Sequence, residues 1–477
     1  MNYRIICRTL SLVLGIEAAL MFLPVAVALI YHENLTVWAI TILATASLAG
    51  VLALFKPRKR AIYAREGFVS VAISWVLMSA FGALPFRISR EIPNFIDAMF
   101  ETVSGFTTTG ASILLDVEKM SHAMLFWRSL THWIGGLGVL VFVLAVLPLA
   151  NNNAMHIMRA EVPGPTVGKI VPRARQTARI LYTIYLALTA LETVLLLLGG
   201  MPLFDALIHA FGTAGTGGFS NRALSVGAYN SPYIEWVIGI FLVLFSINFN
   251  LYYFALCGAW KDALKDQELH LFGAIVLAAT AIITLDAGRL FNGFFEAVRY
   301  AFFQVMSVLS TAGFATTDFN LWPEISRWVL VMLMFCGACA GSTGGGMKIG
   351  RVMLMGKAAH CEIRRLIRPR TVNRVMINGK AVDDDTIRGS LIFSFLYVLL
   401  LLVCTLVVSI DGFDMVTNFT ASLSCLSNVG PGLGLVGPMG NFAMYSPLSK
   451  IVLTVAMLIG RLEVFPILIL FSPSLWK

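Results

Sequence analysis

Ser104-Gly105-Phe106-Thr107-Thr108-Thr109-Gly110-Ala111-Ser112 is the clearest of four related stretches in this chain. The others are Thr216-Gly217-Gly218-Phe219-Ser220, Thr311-Ala312-Gly313-Phe314-Ala315 and Asn428-Val429-Gly430-Pro431-Gly432. Aligned, they share a glycine: Gly110, Gly218, Gly313 and Gly430. Two residues earlier stands Thr108, Thr216, Thr311 or, as the departure, Asn428. The glycines are unequally spaced, which fits diverged units with variable loops and not a tight solenoid. Four such loops between apolar segments are what a pore of four-fold pseudosymmetry requires.

Working outward, 58% of the 477 residues are hydrophobic and 13% charged, with a mean hydropathy of +0.81. Soluble domains carry about 25% charged residues, so this is a polytopic α-helical membrane chain. Apolar runs of about 20 residues exclude the ~10-residue alternating strands of a membrane β-barrel. The formal charge of +9 sits in loops between spans, which points to positive-inside topology and not to nucleic acid. Cys336 and Cys339 form a C-x-x-C without a second pair, so zinc is not indicated. Arg4 and Arg8 precede a long apolar run with no A-x-A-like cleavage site, so the first span is expected to be retained.

Two spans come first, at about 9–31 and 35–55, with Glu17 inside the first. An intramembrane acid is a functional candidate by default, though a contact to a neighbouring helix explains it too. Four units of span, half-helix, loop and span follow. The first has a span at 67–86, a half-span from Asp97 to Phe106 and a long span at 123–150. The second has spans at 181–200 and 232–258 around a half-span from Asp205. The third has a span at 270–288, a half-span at 293–309 and a second span from 327. The fourth has spans at 389–410 and 450–471 around a half-span at 414–426. The expected divisions are 1–65, 66–176, 177–264, 265–385 and 386–477, and the count is ten full spans. Asp97 and Asp205 both precede Ala and are expected to cap their half-helices. Basic loops at 56–65, 159–179, 261–265 and 357–380 then fall on one side, which makes both termini cytosolic and opens every filter loop outward.

A bare K+ needs oxygens to replace its hydration shell, and four runs of backbone carbonyls supply them. Aiming carbonyls inward takes backbone angles that side chains resist, so glycine suits the position. The candidate filter is Thr108, Thr109, Gly110, Thr216, Gly217, Gly218, Thr311, Ala312, Gly313, Asn428, Val429 and Gly430. Small-residue helix packing does not account for these motifs, because they lie between spans and not inside them. A second glycine cluster, from Gly337 to Gly350, interrupts the third unit's second span. At about 1 kcal/mol per glycine it cannot hold a helix, and it does not match a phosphate-binding loop. It reads as an intramembrane loop across the conduction path, with a helix kink as the alternative. Arg461 lies at similar depth, where a charge costs at least ~2.5–3.5 kcal/mol and needs polar partners. The expected gate is Gly341, Ser342, Thr343, Gly344, Gly345, Gly346, Lys348 and Arg461; the rival is a structural Arg461 paired with Glu463.

Trp127-Arg128-Ser129-Leu130-Thr131-His132-Trp133-Ile134-Gly135-Gly136-Leu137-Gly138 resembles the hallmark that follows the first filter loop in the Trk/Ktr potassium-uptake subunits. Gly82-Ala83-Leu84-Pro85-Phe86, Ala340 to Lys348, and Gly460-Arg461-Leu462-Glu463 resemble that family as well. The length and two leading spans are more similar to its TrkH/TrkG branch than to the shorter KtrB branch. The resemblance implies K+ uptake across the bacterial inner membrane by a homodimer in membrane lipid, with no organic cofactor. It also implies a cytosolic nucleotide-binding regulatory subunit of TrkA type. In the family, glycine in all four filter copies goes with K+ selectivity, and serine in the first goes with Na+ permeation. The basic stretch 357–380 is then either a positive-inside or lipid-headgroup signal or a docking surface for the regulatory ring. The alternatives are a Na+-permeating or Na+-coupled relative and a polytopic membrane enzyme. No His/Glu/Cys constellation here has the spacing the enzyme would need.

Overall fold

A computed structural model describes residues 1–55, 64–146, 174–370, 373–470 and 472–473. Lys59 and Arg173, expected on the basic side, lie outside the described residues. Six described helices are long and apolar enough to cross a membrane: Tyr3–Ile30, Thr36–Ala53, Arg65–Ile88, Ile180–Leu198, Gln267–Leu290 and Asp384–Asp411. The first two precede the units. The other four are the leading helices of the four units. They turn large apolar side chains outward, among them Leu277, Leu285, Phe395 and Leu406, as a lipid-facing surface requires.

Each leading helix is followed by a half-helix: Phe95–Phe106, Leu203–Ala214, Phe294–Leu309 and Met415–Ser427. With 12 to 16 residues each, they reach about 18–24 Å, short of a ~30 Å hydrocarbon core. The expected aspartate caps are not formed. Asn94 caps the first half-helix by accepting from the Ile96 amide, and Pro202 stands before the second. Asp97 and Asp205 fall in the first turn, where the helix dipole still favours an acid. There they take other partners: Lys450 for Asp97, and Asn221, Arg222 and Tyr229 for Asp205. Hydrogen bonding to Tyr229, with Asp205 alongside, pushes the Arg222 guanidinium above its ordinary pKa.

The trailing helices depart most from expectation. The span expected at 232–258 is two helices, Pro232–Ser246 and Phe249–Leu256, bent by 85°. Ile247 is extended, and the Asn248 side chain caps the second piece at Asn250. The span expected at 450–471 is likewise broken, into Pro447–Arg461 and Phe465–Leu470, with Glu463 and Val464 at positive φ. The third unit's trailing helix, Glu324–Cys336, ends at Gly337, and the chain resumes helix only at Ile349–Ile367. The first span bends at Met21, just ahead of Pro24, whose missing amide cannot complete the ladder. Beyond Ile367, the basic segment carries a two-residue hairpin, Met376–Ile377 against Lys380–Ala381.

Candidate functional site

The four aligned loops close on one another in chain order. A methyl carbon placed on Gly110 would lie 2.1 Å from the Gly217 carbonyl oxygen, and one on Gly218 1.9 Å from that of Ala312. One on Gly313 would lie 2.1 Å from the Val429 oxygen, and one on Gly430 2.6 Å from the Thr109 oxygen. Each glycine therefore lies against the carbonyl that precedes the glycine of the next unit, and the fourth returns to the first. All twelve expected filter residues belong to this ring.

Backbone angles explain the residue choice. The four glycines all sit at positive φ, from 75° to 101°. So do the residues two before them, Thr108, Thr216, Thr311 and Asn428, at 52° to 63°. The residues between do not. Alternating hand turns successive carbonyls to the same side of the loop. Asn visits the left-handed region readily, whereas threonine there is uncommon and must be held by its surroundings. Each loop begins where a half-helix ends, so the negative ends of four helix dipoles converge on the ring.

A second set of contacts links the segments that follow the loops, again one unit to the next. Arg128 donates from Nη1 to the Ser220 carbonyl at 3.1 Å, and the Gly227 amide donates to the Ala315 carbonyl at 3.1 Å. Asn320 and Gly434 exchange two hydrogen bonds at 3.0 Å, and the Phe442 amide donates to the Ser112 carbonyl at 2.8 Å. Arg128 also meets Glu101 at 2.6 Å, with both side chains buried, and lies 3.4 Å over the Phe219 ring. Glu101 in turn accepts from Ser112 Oγ and the Ile113 amide. His132 donates from Nδ1 to the Gly105 carbonyl at 2.8 Å and packs at a tilt against the Phe219 ring.

The stretch 337–348 lies against the rim of the ring nearest the half-helices. The Gly345 amide donates to Thr311 Oγ1 at 2.6 Å. A methyl carbon on Gly345 would lie 2.5 Å from the Ser427 carbonyl oxygen, and one on Gly344 2.8 Å from that of Ser310. Thr343, Cys339 and Gly341 fill the break in the second unit's trailing helix. Thr343 Oγ1 donates to the Phe245 carbonyl, the Cys339 amide to that of Ser246, and the Phe249 amide to that of Gly341. Ser342 Oγ bonds back to the Cys339 carbonyl, Lys348 Nζ to that of Gly344, and Gly346 sits at positive φ against Gly337. Arg461 donates from Nη1 to the Thr343 carbonyl at 2.8 Å and from Nη2 to that of Gly135 at 2.9 Å. Glu463 pairs with Arg351, not with Arg461.

Several residues had no individual role in the sequence reading, although Arg128, Gly135, Gly136 and Gly460 lie in its family-like stretches. Gly135, Gly136 and Gly460 let trailing helices touch the rim: methyl carbons on them would lie 1.9 Å from the Phe106 oxygen, 2.8 Å from Gly215 Cα and 2.0 Å from the Leu426 oxygen. Their signal is a glycine in an otherwise apolar helix. Asn248, Glu101 and the pairing of Glu101 with Arg128 were overlooked, and Glu101 carries no local signal because its partner is 27 residues away. Glu17 is buried at the edge of this region; neither carboxylate oxygen has a hydrogen-bond partner among the described residues.

Residues 34–477 match the family model TrkH, a cation transport protein. The chain is 37% identical to the Trk system potassium uptake protein TrkH of Salmonella typhimurium, over all of both chains. It is 35% identical to TrkG of Escherichia coli K12, over all of this chain and 99% of that one. The crystal structure of the potassium transporter TrkH from Vibrio parahaemolyticus superposes with a TM-score of 0.90 at 34% identity, covering all of both chains.

Proposed function

Because this chain belongs to the TrkH family of cation transport proteins, we propose that it takes up K+ through the ring of four loops. The family is one of transporters and not of enzymes. The observation that carries the reading is the closed succession of glycine and carbonyl contacts, Gly110 to Gly217, Gly218 to Ala312, Gly313 to Val429 and Gly430 to Thr109. Carbonyls fixed by their neighbours need no reorganisation to replace the water around an ion. The stretch 341–348, with Lys348 and Arg461, is the gate beneath them. In the closed state the Arg461 guanidinium opposes a cation by charge and ties the loop, at the Thr343 carbonyl, to the first unit's trailing helix, at the Gly135 carbonyl. The chain works as a homodimer in the bacterial inner membrane, under a cytosolic nucleotide-binding subunit of TrkA type.

The test is rubidium flux into proteoliposomes, with Na+ as competitor. Gly218→Ala places a methyl on the Ala312 carbonyl and is expected to cut K+ preference or flux by at least tenfold. Gly200→Ala is the control: it too has positive φ, 85°, but open space around it, so it costs only the ~1 kcal/mol of backbone preference. Gly110→Ser is expected to admit Na+. K+ preference that survives every one of the four ring substitutions removes the ring as the filter.

A further inference from the structure

The four side chains two residues before the ring glycines are not equivalent. Thr216 Oγ1 donates to its own Gly215 carbonyl, and Thr108 Oγ1 is buried with no partner among the described residues. Asn428 donates from Nδ2 to Thr109 Oγ1 at 3.0 Å and to the Met457 carbonyl at 2.9 Å, which ties the fourth unit to the first. Thr311 Oγ1 alone of the four accepts from the loop, at the Gly345 amide.

We infer that the Thr311 hydroxyl is shared: the gating loop and a cation at the innermost position of the ring compete for its oxygen. The inference rests on the filter reading above. An amide donor places the positive end of its dipole on the oxygen. A cation taking the same oxygen would stand beside that positive end, at low local dielectric, where repulsion is strong. Packing sharpens the conflict. The loop backbone is packed close beside Thr311, by Gly344 against the neighbouring Ser310 carbonyl and by Gly345 against the Ser427 carbonyl of the fourth unit. The Gly345 amide cannot simply be abandoned either, since a buried unpaired donor is costly; the loop must carry it elsewhere. Coupling between two ligands of one group is reciprocal. Filling the innermost position therefore loosens the loop, and releasing the loop raises affinity for the ion by the same factor. K+ itself becomes a promoter of opening, acting at one unit of the four.

Cys339, buried within the loop, is a native reporter of its release. In the full-length protein with the other cysteines replaced by alanine, modification by a small water-soluble thiol reagent is followed while K+ replaces choline at constant ionic strength. The expected result is acceleration on K+ addition. Thr311→Val is expected to react about fivefold faster without K+, the ratio set by one ordinary hydrogen bond, and to lose the response to K+. Thr311→Ser restores both. Thr45→Val, at a buried threonine of the second span that bonds within its own helix, keeps the wild-type rate without K+ and the wild-type response to it. Thr311→Ala serves if the valine variant does not fold. A Cys339 rate indifferent to K+ in the otherwise unaltered protein overturns the competition, as does a K+ response that survives in Thr311→Val. If flux remains K+-selective in those same samples, the filter reading stands although the competition has failed.

Discussion

A carboxylate and a guanidinium 2.6 Å apart, each almost wholly out of contact with solvent, are expensive to separate. Glu101 and Arg128 earn attention because each does two things beyond pairing. Glu101 holds the strand leaving the first loop, at Ser112 and Ile113. Arg128 reaches the second loop at the Ser220 carbonyl and covers Phe219. A lysine lacks the planar fork that makes both contacts at once. Arg128→Met is therefore expected to lower thermal stability by about 3–5 kcal/mol, because it leaves Glu101 buried and unpaired. The double variant Glu101→Met/Arg128→Met removes the orphan charge and is expected to be less destabilised than either single variant. Thermal unfolding in detergent of the four proteins of this cycle measures the coupling. Additive losses would mean that the two residues act separately.

At the scale of elements, the half-helices and leading helices were legible in the sequence, and the breaks in the trailing helices were not. A half-helix announces itself by length: Leu203–Ala214 is too short to cross and is followed at once by a glycine-rich loop. The interruption at 337–348 announces itself by its glycines. The bend at Ser246–Phe249 does not, because the groups it frees are satisfied by Cys339, Gly341 and Thr343, about ninety residues downstream. Only Asn248, a capping residue within an apolar run, hints at it. The break after Arg461 is similar: Arg461 was legible as a charge at depth, but its partners, the carbonyls of Thr343 and Gly135, are side-chain-free and leave no mark in composition. Loop and breaks are thus one assembly, which gives the gate a definite test. Deleting 342–346 removes the contacts to Thr311, Ser427 and Arg461 together. The deletion, and more weakly Arg461→Ala, is expected to raise basal rubidium flux severalfold without any regulatory subunit. A folded deletion protein with unchanged basal flux would show that the loop does not close the path.

For the whole molecule, the distribution of charge predicts which way the ring faces. The segments that follow the ring, 113–122 and 221–230, carry three basic residues, Lys119, His122 and Arg222, beside Asp116 and Glu118. The segment after Ile367 carries Arg368, Arg370, Arg374 and Lys380, and the helix before it ends in Arg364 and Arg365. Lys and Arg gather on the cytoplasmic side, so the basic segment is expected to face the cytosol and the ring to open outward. Between them stand Ile349–Ile367 and the loop 337–348, joined end to end at Lys348. A displacement of the basic segment would therefore reach the residues against the rim of the ring through a single helix. Leu115 is 83% exposed and Arg370 is exposed as well, so single cysteines at these sites are suitable probes. In intact cells of a strain carrying an otherwise cysteine-free chain, a membrane-impermeant maleimide is expected to label Leu115→Cys and to spare Arg370→Cys until the membrane is broken. The reverse pattern would invert the orientation and place the regulator's attachment outside the cell, where no cytosolic ring could reach it.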